Sequence, residues 1–173
     1  MWESKNRQLK VIPTIKSYKI FRPFTSAMFI IFDFYEMASD NILPTALKRN
    51  HLLQLMLLSA SNYVSYINDI YSLRKEMKHD ASHNLVSVIK NEKNVSWEEA
   101  LDNTAAIIQE ELNSFCEYEK ILFEQSWIFD KRYKNSLKRY LVGVKTFMRA
   151  NIDFSIRDSF RYNETLKINV NVD

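Results

Sequence analysis

Asn68-Asp69-Ile70-Tyr71-Ser72-Leu73-Arg74-Lys75-Glu76 follows a long apolar run and carries Asn68, Ser72 and Glu76 at intervals of four residues. On an α-helix that spacing projects all three side chains from nearly one face. An amide carbonyl, a hydroxyl and a carboxylate are hard oxygen donors, suited to Mg²⁺, which prefers octahedral oxygen coordination and shares its shell with water and phosphate. Mn²⁺ suits the same donors. One carboxylate alone binds such an ion weakly, so the row fills when a phosphate anion arrives with the metal, and Arg74 and Lys75 stand close by to meet it. The same residue types also occur on solvated helix faces, so the row needs support from elsewhere in the chain.

Outward from this stretch the chain reads as all-α. One Gly and three Pro in 173 residues leave few turns, and the apolar residues recur at helical spacing. The length suits one domain, since chains of about 150 residues bury roughly two-thirds of their unfolded surface. Residues 1–162 form that domain and 163–173 a polar tail. A lone Cys116 forms no internal disulfide, and with no signal-like start the expected setting is cytoplasmic. The apolar run at 52–58 is too short for a membrane span, which needs about 20 residues. The net charge of +3, with both signs interspersed, gives no basic stripe, so nucleic acid is not an expected partner.

Residues 1–9 read as the tail of a helix. Pro13 opens a second helix with a stripe of Ile15, Tyr18 and Phe21 ending at Arg22, and Pro23 is expected to stop it. Residues 28–37 are nearly all apolar, which predicts burial on more than one side; Asp33 and Glu36 are expected on its surface. One helix is predicted over 45–78, apolar all round at 52–58. His79 and His83 read as a solvated loop pair. A short helix follows at 84–90, then a turn, and Ser96 with Glu99 forms a capping box. That box opens a helix with a stripe at Trp97, Leu101, Ala105, Ile108, Leu112, Phe115 and Leu122, and Glu110 and Glu111 on the solvated side. The basic segment 131–139 leads into a last helix holding Gly143, Phe147, Ile152, Phe154 and Ile156.

The central nonapeptide resembles the Asn-Asp-x-x-Ser-x-x-x-Glu metal motif of microbial class I terpene synthases, and Asp80 with His83-Asn84-Leu85-Val86 is similar to that family's continuation. The segment Tyr18-Lys19-Ile20-Phe21-Arg22-Pro23-Phe24-Thr25-Ser26-Ala27 resembles the family's element in which an Arg four residues after a Tyr senses the substrate diphosphate. The resemblance implies Arg22 as sensor and Thr25-Ser26 as the linker and effector region beside a helix break. Ala27 stands where a Gly is frequent, which weakens the expected break. The stretch 149–162 resembles the C-terminal motif ending in Arg-Tyr, which implies that Arg161 and Tyr162 bond the diphosphate; Phe154 stands where a Trp is common and still offers a π face to a carbocation.

The resemblance covers residues 2–162 and implies the C-terminal half of the class I terpenoid synthase α-helical bundle. The reaction it implies is Mg²⁺-dependent ionisation of geranyl or farnesyl diphosphate, with Arg22, Lys75 and Arg161 stabilising the departing diphosphate and the carbocation cyclising to a terpene. The family holds its metals from two sides, and the opposing Asp-Asp-x-x-Asp/Glu motif has no counterpart, since no two aspartates are adjacent in these 173 residues. The chain is therefore expected to be truncated on its N-terminal side and inactive alone, with uncovered apolar faces that favour self-association. Two alternatives stand beside this reading. One is a non-catalytic helical protein that binds Mg²⁺ and diphosphate or pairs with a partner supplying the missing half; the other is an interaction protein in which the motif is a relic. A trans-prenyltransferase, which uses paired Asp-rich motifs, does not fit.

Overall fold

The computed structural model describes residues 2–125 and 131–158. Among these residues eight α-helices follow one another: α1 (Trp2–Leu9), α2 (Ile15–Thr25), α3 (Met28–Ala38), α4 (Thr45–Lys48), α5 (His51–Met77), α6 (Leu85–Lys93), α7 (Trp97–Glu124) and α8 (Lys131–Asp153). A π-helical turn, Phe154–Asp158, continues α8. Among the described residues there is no strand, and no helix is long and apolar enough to cross a membrane.

The helix starts follow local capping chemistry. Thr14, Asn50, Asn84 and Ser96 each accept a backbone N–H from the first turn of α2, α5, α6 and α7. Such a cap contributes on the order of 1 kcal/mol. At Ser96 the expected capping box forms in full, with the Glu99 carboxylate returning to the Ser96 N–H. Asn50 accounts for one departure from the sequence reading. The single helix expected over 45–78 is split, because the Asn50 side chain accepts the Leu53 N–H and restarts the helix. A second departure is α2, which runs through Pro23 to Thr25. Proline removes one donor and disfavours the preceding turn, yet the Ser26 N–H still reaches the Arg22 carbonyl at 3.1 Å.

The break comes two residues later than Pro23 alone would place it. Ala27 sits between α2 and α3 with φ 61° and ψ 6°. This is left-handed backbone, in which an L residue with a Cβ is strained by about 1–2 kcal/mol. The missing Gly has not removed the break; Ala adopts the conformation that Gly would favour.

Two apolar clusters lie along α5. Leu53, Met56 and Ala60 in its first half pack with Phe32 of α3, Leu47 of α4, Phe115 and Leu122 of α7, and Leu137, Leu141 and Val144 of α8. Tyr66 and Leu73 in its second half pack with Tyr18 of α2, Leu85 and Ile89 of α6, and Ala100 of α7. At 52–58 only Leu53 and Met56 are buried, and the other leucines are half-buried, so this segment is less enclosed than its composition predicts. The start of the α7 stripe is rotated by one position, with Ala100 and Thr104 buried and Trp97 and Ala105 exposed, while further along Phe115 and Leu122 are buried as expected. Small Ala100 and Thr104 let α7 approach its neighbours closely. Gly143 of α8 has a similar cause, since a Cβ there would overlap the Tyr35 ring.

On α3 burial is one-sided. Met28, Phe32 and Glu36 face inward, whereas Ile30, Phe34 and Met37 are 56 %, 63 % and 70 % exposed. Glu36, expected at the surface, is buried because its carboxylate accepts the Leu43 N–H and pairs with Lys48 Nζ at 2.8 Å. It pins the connection between α3 and α4. Asp33 remains exposed.

Candidate functional site

The site is built on the second half of α5. Helical geometry turns Asn68 and Asp69 about 100° apart, so adjacent residues serve different neighbours. Asp69 faces α2 and α6. Its carboxylate accepts Arg22 Nη2 at 2.8 Å through Oδ1, and Tyr18 Oη at 2.6 Å and the Leu85 N–H at 3.1 Å through Oδ2. Its own carbonyl accepts Asn84 Nδ2 at 2.6 Å. Burial pushes the Asp69 carboxyl above its ordinary range, while Arg22, Tyr18 and the Leu85 N–H work in the opposite direction. Burial disfavours the Arg22 charge, and the Asp69 carboxylate more than reverses that, so the guanidinium is held protonated. Tyr18 is held as the neutral phenol, first by burial and then by the adjacent carboxylate.

Arg22 is thereby anchored by one end. Its Nε is buried and has no hydrogen-bond partner, leaving donor capacity unspent. It lines a cleft of about 290 Å³ together with Thr25, Ser26, Val64, Asn68 and Asn151. Four of the sequence-predicted residues therefore meet in one place: Arg22, Thr25, Ser26 and Asn68. Ser26 Oγ accepts the Met28 N–H at 3.4 Å, donates to the Pro23 carbonyl at 3.0 Å and lies 3.4 Å from Ser61 Oγ. It ties the α2–α3 break to α5. Thr25 Oγ1 donates to the Arg22 carbonyl at 3.3 Å.

Ser72 lies one turn beyond Asn68. Its residue is 4 % exposed, and its Oγ is buried with no hydrogen-bond partner. A buried, unsatisfied hydroxyl costs about 1–3 kcal/mol, and a cation held there would satisfy it. Glu76, another turn on, is half-buried, and its Oε2 accepts Asn84 Nδ2 at 3.0 Å. The donor set of amide, hydroxyl and carboxylate fits a hard divalent cation.

The row spans two openings rather than one. Glu76 and Lys75 line a separate hollow of about 270 Å³ with Arg7, His79 and Asp80. Lys75 is exposed and is not brought into the cleft of Arg22. Phe154 is 50 % exposed at the start of the π-helical turn. Arg161 and Tyr162 lie outside the described residues.

Sequence reasoning quoted Asp69, Tyr18 and Asn84 within its motifs but gave no role to these residues, which hold the site together. The available signal was the spacing of Tyr18 and Arg22, four apart and so able to grip one carboxylate from one helix face. Two further expectations are corrected. His83 is buried rather than solvated: Nε2 accepts Asn6 Nδ2 at 3.2 Å, and Nδ1 lies 3.1 Å from Ser82 Oγ. Glu111 does not face solvent freely, because Asn62 Nδ2 donates to it at 3.0 Å and burial raises its carboxyl.

A helical bundle with an oxygen row on its central helix, opposite an anchored arginine at a helix break, defines the C-terminal half of the class I terpenoid synthase fold. The chain belongs to the terpene synthase family: residues 1–114 match the family model described as terpene synthase family 2, C-terminal metal binding. It is 35 % identical over 164 residues to 10-epi-cubebol synthase of Sorangium cellulosum, covering 95 % of this chain and 50 % of that protein. It is 31 % identical over 166 residues to (+)-T-muurolol synthase of Roseiflexus castenholzii, covering 96 % and 49 %. The chain thus spans about half the length of these curated relatives. The fold is shared with α-eudesmol synthase, at a TM-score of 0.82 and 17 % identity over 91 % of this chain and 51 % of that one. It is also shared with linalool/nerolidol synthase of Streptomyces clavuligerus solved with 2-fluorogeranyl diphosphate, at 0.80 and 20 % over 89 % and 53 %.

Proposed function

We propose that residues 1–162 are one helical unit supplying the diphosphate-binding side of a terpene synthase site, with 163–173 as a tail. Its substrate is a linear allylic isoprenyl diphosphate such as geranyl or farnesyl diphosphate. The observation that carries this reading is the orphaned Ser72 Oγ at the centre of the row Asn68–Ser72–Glu76. Those three residues would hold Mg²⁺, with Mn²⁺ as a substitute. When bound, the ion supplies Lewis-acid neutralisation of charge on the diphosphate.

The chain's own residues do the remainder. Arg22, fixed by Asp69, presents its guanidinium to the phosphate oxygens and stays charged as the leaving group departs. Arg161 and Tyr162 would complete the anion's surroundings, one by charge and one by its phenol hydroxyl, whereas Lys75 opens onto the separate hollow beside Glu76. Thr25 and Ser26 hold the α2–α3 break beside it, with the strained Ala27 next in line. These contacts gain strength as charge accumulates on the diphosphate, so they favour the transition state over the ground state.

These 173 residues contain no adjacent aspartates and hold the cation from one side. We therefore expect binding without turnover from this chain alone. The exposed side of α3, with Phe34 and Met37, would favour self-association of these 173 residues. A cytoplasmic setting agrees with the single Cys116. The test is Mg²⁺-dependent release of diphosphate and a volatile product from geranyl or farnesyl diphosphate. No release is expected; turnover that disappears in Asn68→Ala or Glu76→Ala would overturn the inactivity while supporting the site.

A further inference from the structure

A further hollow lies next to the opening at Glu76, sharing Arg7, His79 and Asp80 with it, and contains none of Asn68, Ser72 and Glu76. It measures about 710 Å³ and opens between the end of α1, the α5–α6 connection, α6 and the first turn of α7. Its wall is apolar at Ile12, Met77 and Trp97, and its cations are Arg7, Lys10 and Lys90. The acid lining it is Asp80, which is already engaged: Arg7 Nε lies 3.1 Å from Oδ2, and the Ser82 N–H donates to Oδ1 at 2.9 Å. Among the described residues lining the hollow, no further acid faces Lys10 and Lys90. Lys90 Nζ stands 5.2 Å from the centre of the Trp97 ring, which fixes an ammonium at the edge of the apolar wall.

A second observation points to a ligand. Ser87 lines this hollow, is 8 % exposed, and has a buried Oγ with no hydrogen-bond partner. A serine inside a helix can satisfy its hydroxyl on the carbonyl four residues back, and here it does not. The volume lies within the range of small-molecule sites, about 300–1,000 Å³, and far exceeds a bare phosphate. We propose that this hollow is a second binding site for a small amphipathic anion. A phosphate or carboxylate head meets Lys10 and Lys90, an apolar body lies along Met77, Ile12 and Trp97, and the Ser87 hydroxyl bonds the ligand inside the hollow.

The probe is octyl phosphate, titrated calorimetrically into the 173-residue chain below the detergent's micelle concentration and in EDTA. Chelation removes any divalent ion, so this site is read separately from the metal row and the two proposals fail separately. One-to-one saturable binding is expected. Lys10→Gln and Lys90→Gln each weaken it by roughly threefold to tenfold, as expected for one charge-assisted contact at a partly exposed site. Ser87→Ala weakens binding without lowering the melting temperature, because it deletes a hydroxyl that has no partner in the protein. Ser72→Ala leaves octyl phosphate binding unchanged. The Trp97 indole N–H resonance shifts on titration, which reads the site in wild-type protein whatever the variants do. No saturable binding in EDTA, equal affinity in every variant, an unmoved Trp97 signal, or uptake by anionic vesicles without binding of monomeric octyl phosphate would each overturn the proposal.

Discussion

Arg22 and Asp69 form a buried ion pair, Nη2 donating to Oδ1 at 2.8 Å, with side chains 13 % and 1 % exposed. The pair joins the proposed diphosphate sensor on α2 to the residue next to the proposed metal ligand on α5. A single carboxylate thereby fixes the distance between the two halves of the site.

Removing one partner leaves the other charge buried alone. Asp69→Ala is expected to lower stability by about 3–5 kcal/mol, the usual consequence of breaking a buried pair. It also strips the partner from Tyr18 Oη and from the first turn of α6. The double variant Arg22→Met/Asp69→Leu should recover much of that loss, because it removes both desolvated charges together. Urea denaturation of the three proteins checks this; equal loss in the single and double variants would contradict it.

At Ala27 the normal sign of a substitution is reversed. Ala→Gly in ordered structure is destabilising by roughly 0.5–1 kcal/mol, but here the left-handed φ of 61° already strains the Cβ. Ala27→Gly is expected to stabilise the chain by about 0.5–1 kcal/mol, a rise of roughly 2 °C in Tm. Differential scanning calorimetry reads the sign directly.

His83 sets a pH dependence. Burial lowers its pKa below the ordinary value of about 6.5, with Arg7 and Arg22 adding to the decrease and Glu3 and Asp80 opposing it. The folded state therefore holds the neutral ring, and between the depressed pKa and 6.5 the unfolded chain binds more protons. Stability is present above 6.5 and declines as pH falls through that window. In His83→Gln this part of the decline should flatten, which denaturation midpoints between pH 5 and 7.5 would show.

The helical class, the capping box at Ser96 and the row of Asn68, Ser72 and Glu76 were legible because each depends on residues close in sequence. The interruption at Asn50 was less so, since a leucine-rich run hides one cap, and the rotation of α7 depended on which neighbour its small residues Ala100 and Thr104 would admit. Glu36 and His83 were read as surface residues because polarity predicts exposure; their burial depends on partners at Leu43, Lys48, Asn6 and Ser82 that only the fold supplies.

The site divides along the same line. The residues proposed to face a ligand share a spacing that the sequence displays. Residues that hold those residues in place do not: Asp69 lies 47 positions from Arg22 and 51 from Tyr18, and no local pattern reports a contact so distant. Lys75 shows the converse, a residue adjacent to the row in sequence that opens onto a different hollow.

The central claim is that Asn68, Ser72 and Glu76 hold a divalent cation for a diphosphate that Arg22 also grips. It is tested most directly by isothermal titration of inorganic diphosphate into the 173-residue chain, with Mg²⁺ and with EDTA. The account predicts saturable binding in Mg²⁺ that is lost in EDTA and weakened at least tenfold in Ser72→Ala, whose fold should be intact because the deleted hydroxyl has no partner. Binding that is equal in EDTA, or equal in Ser72→Ala and wild type, would contradict it.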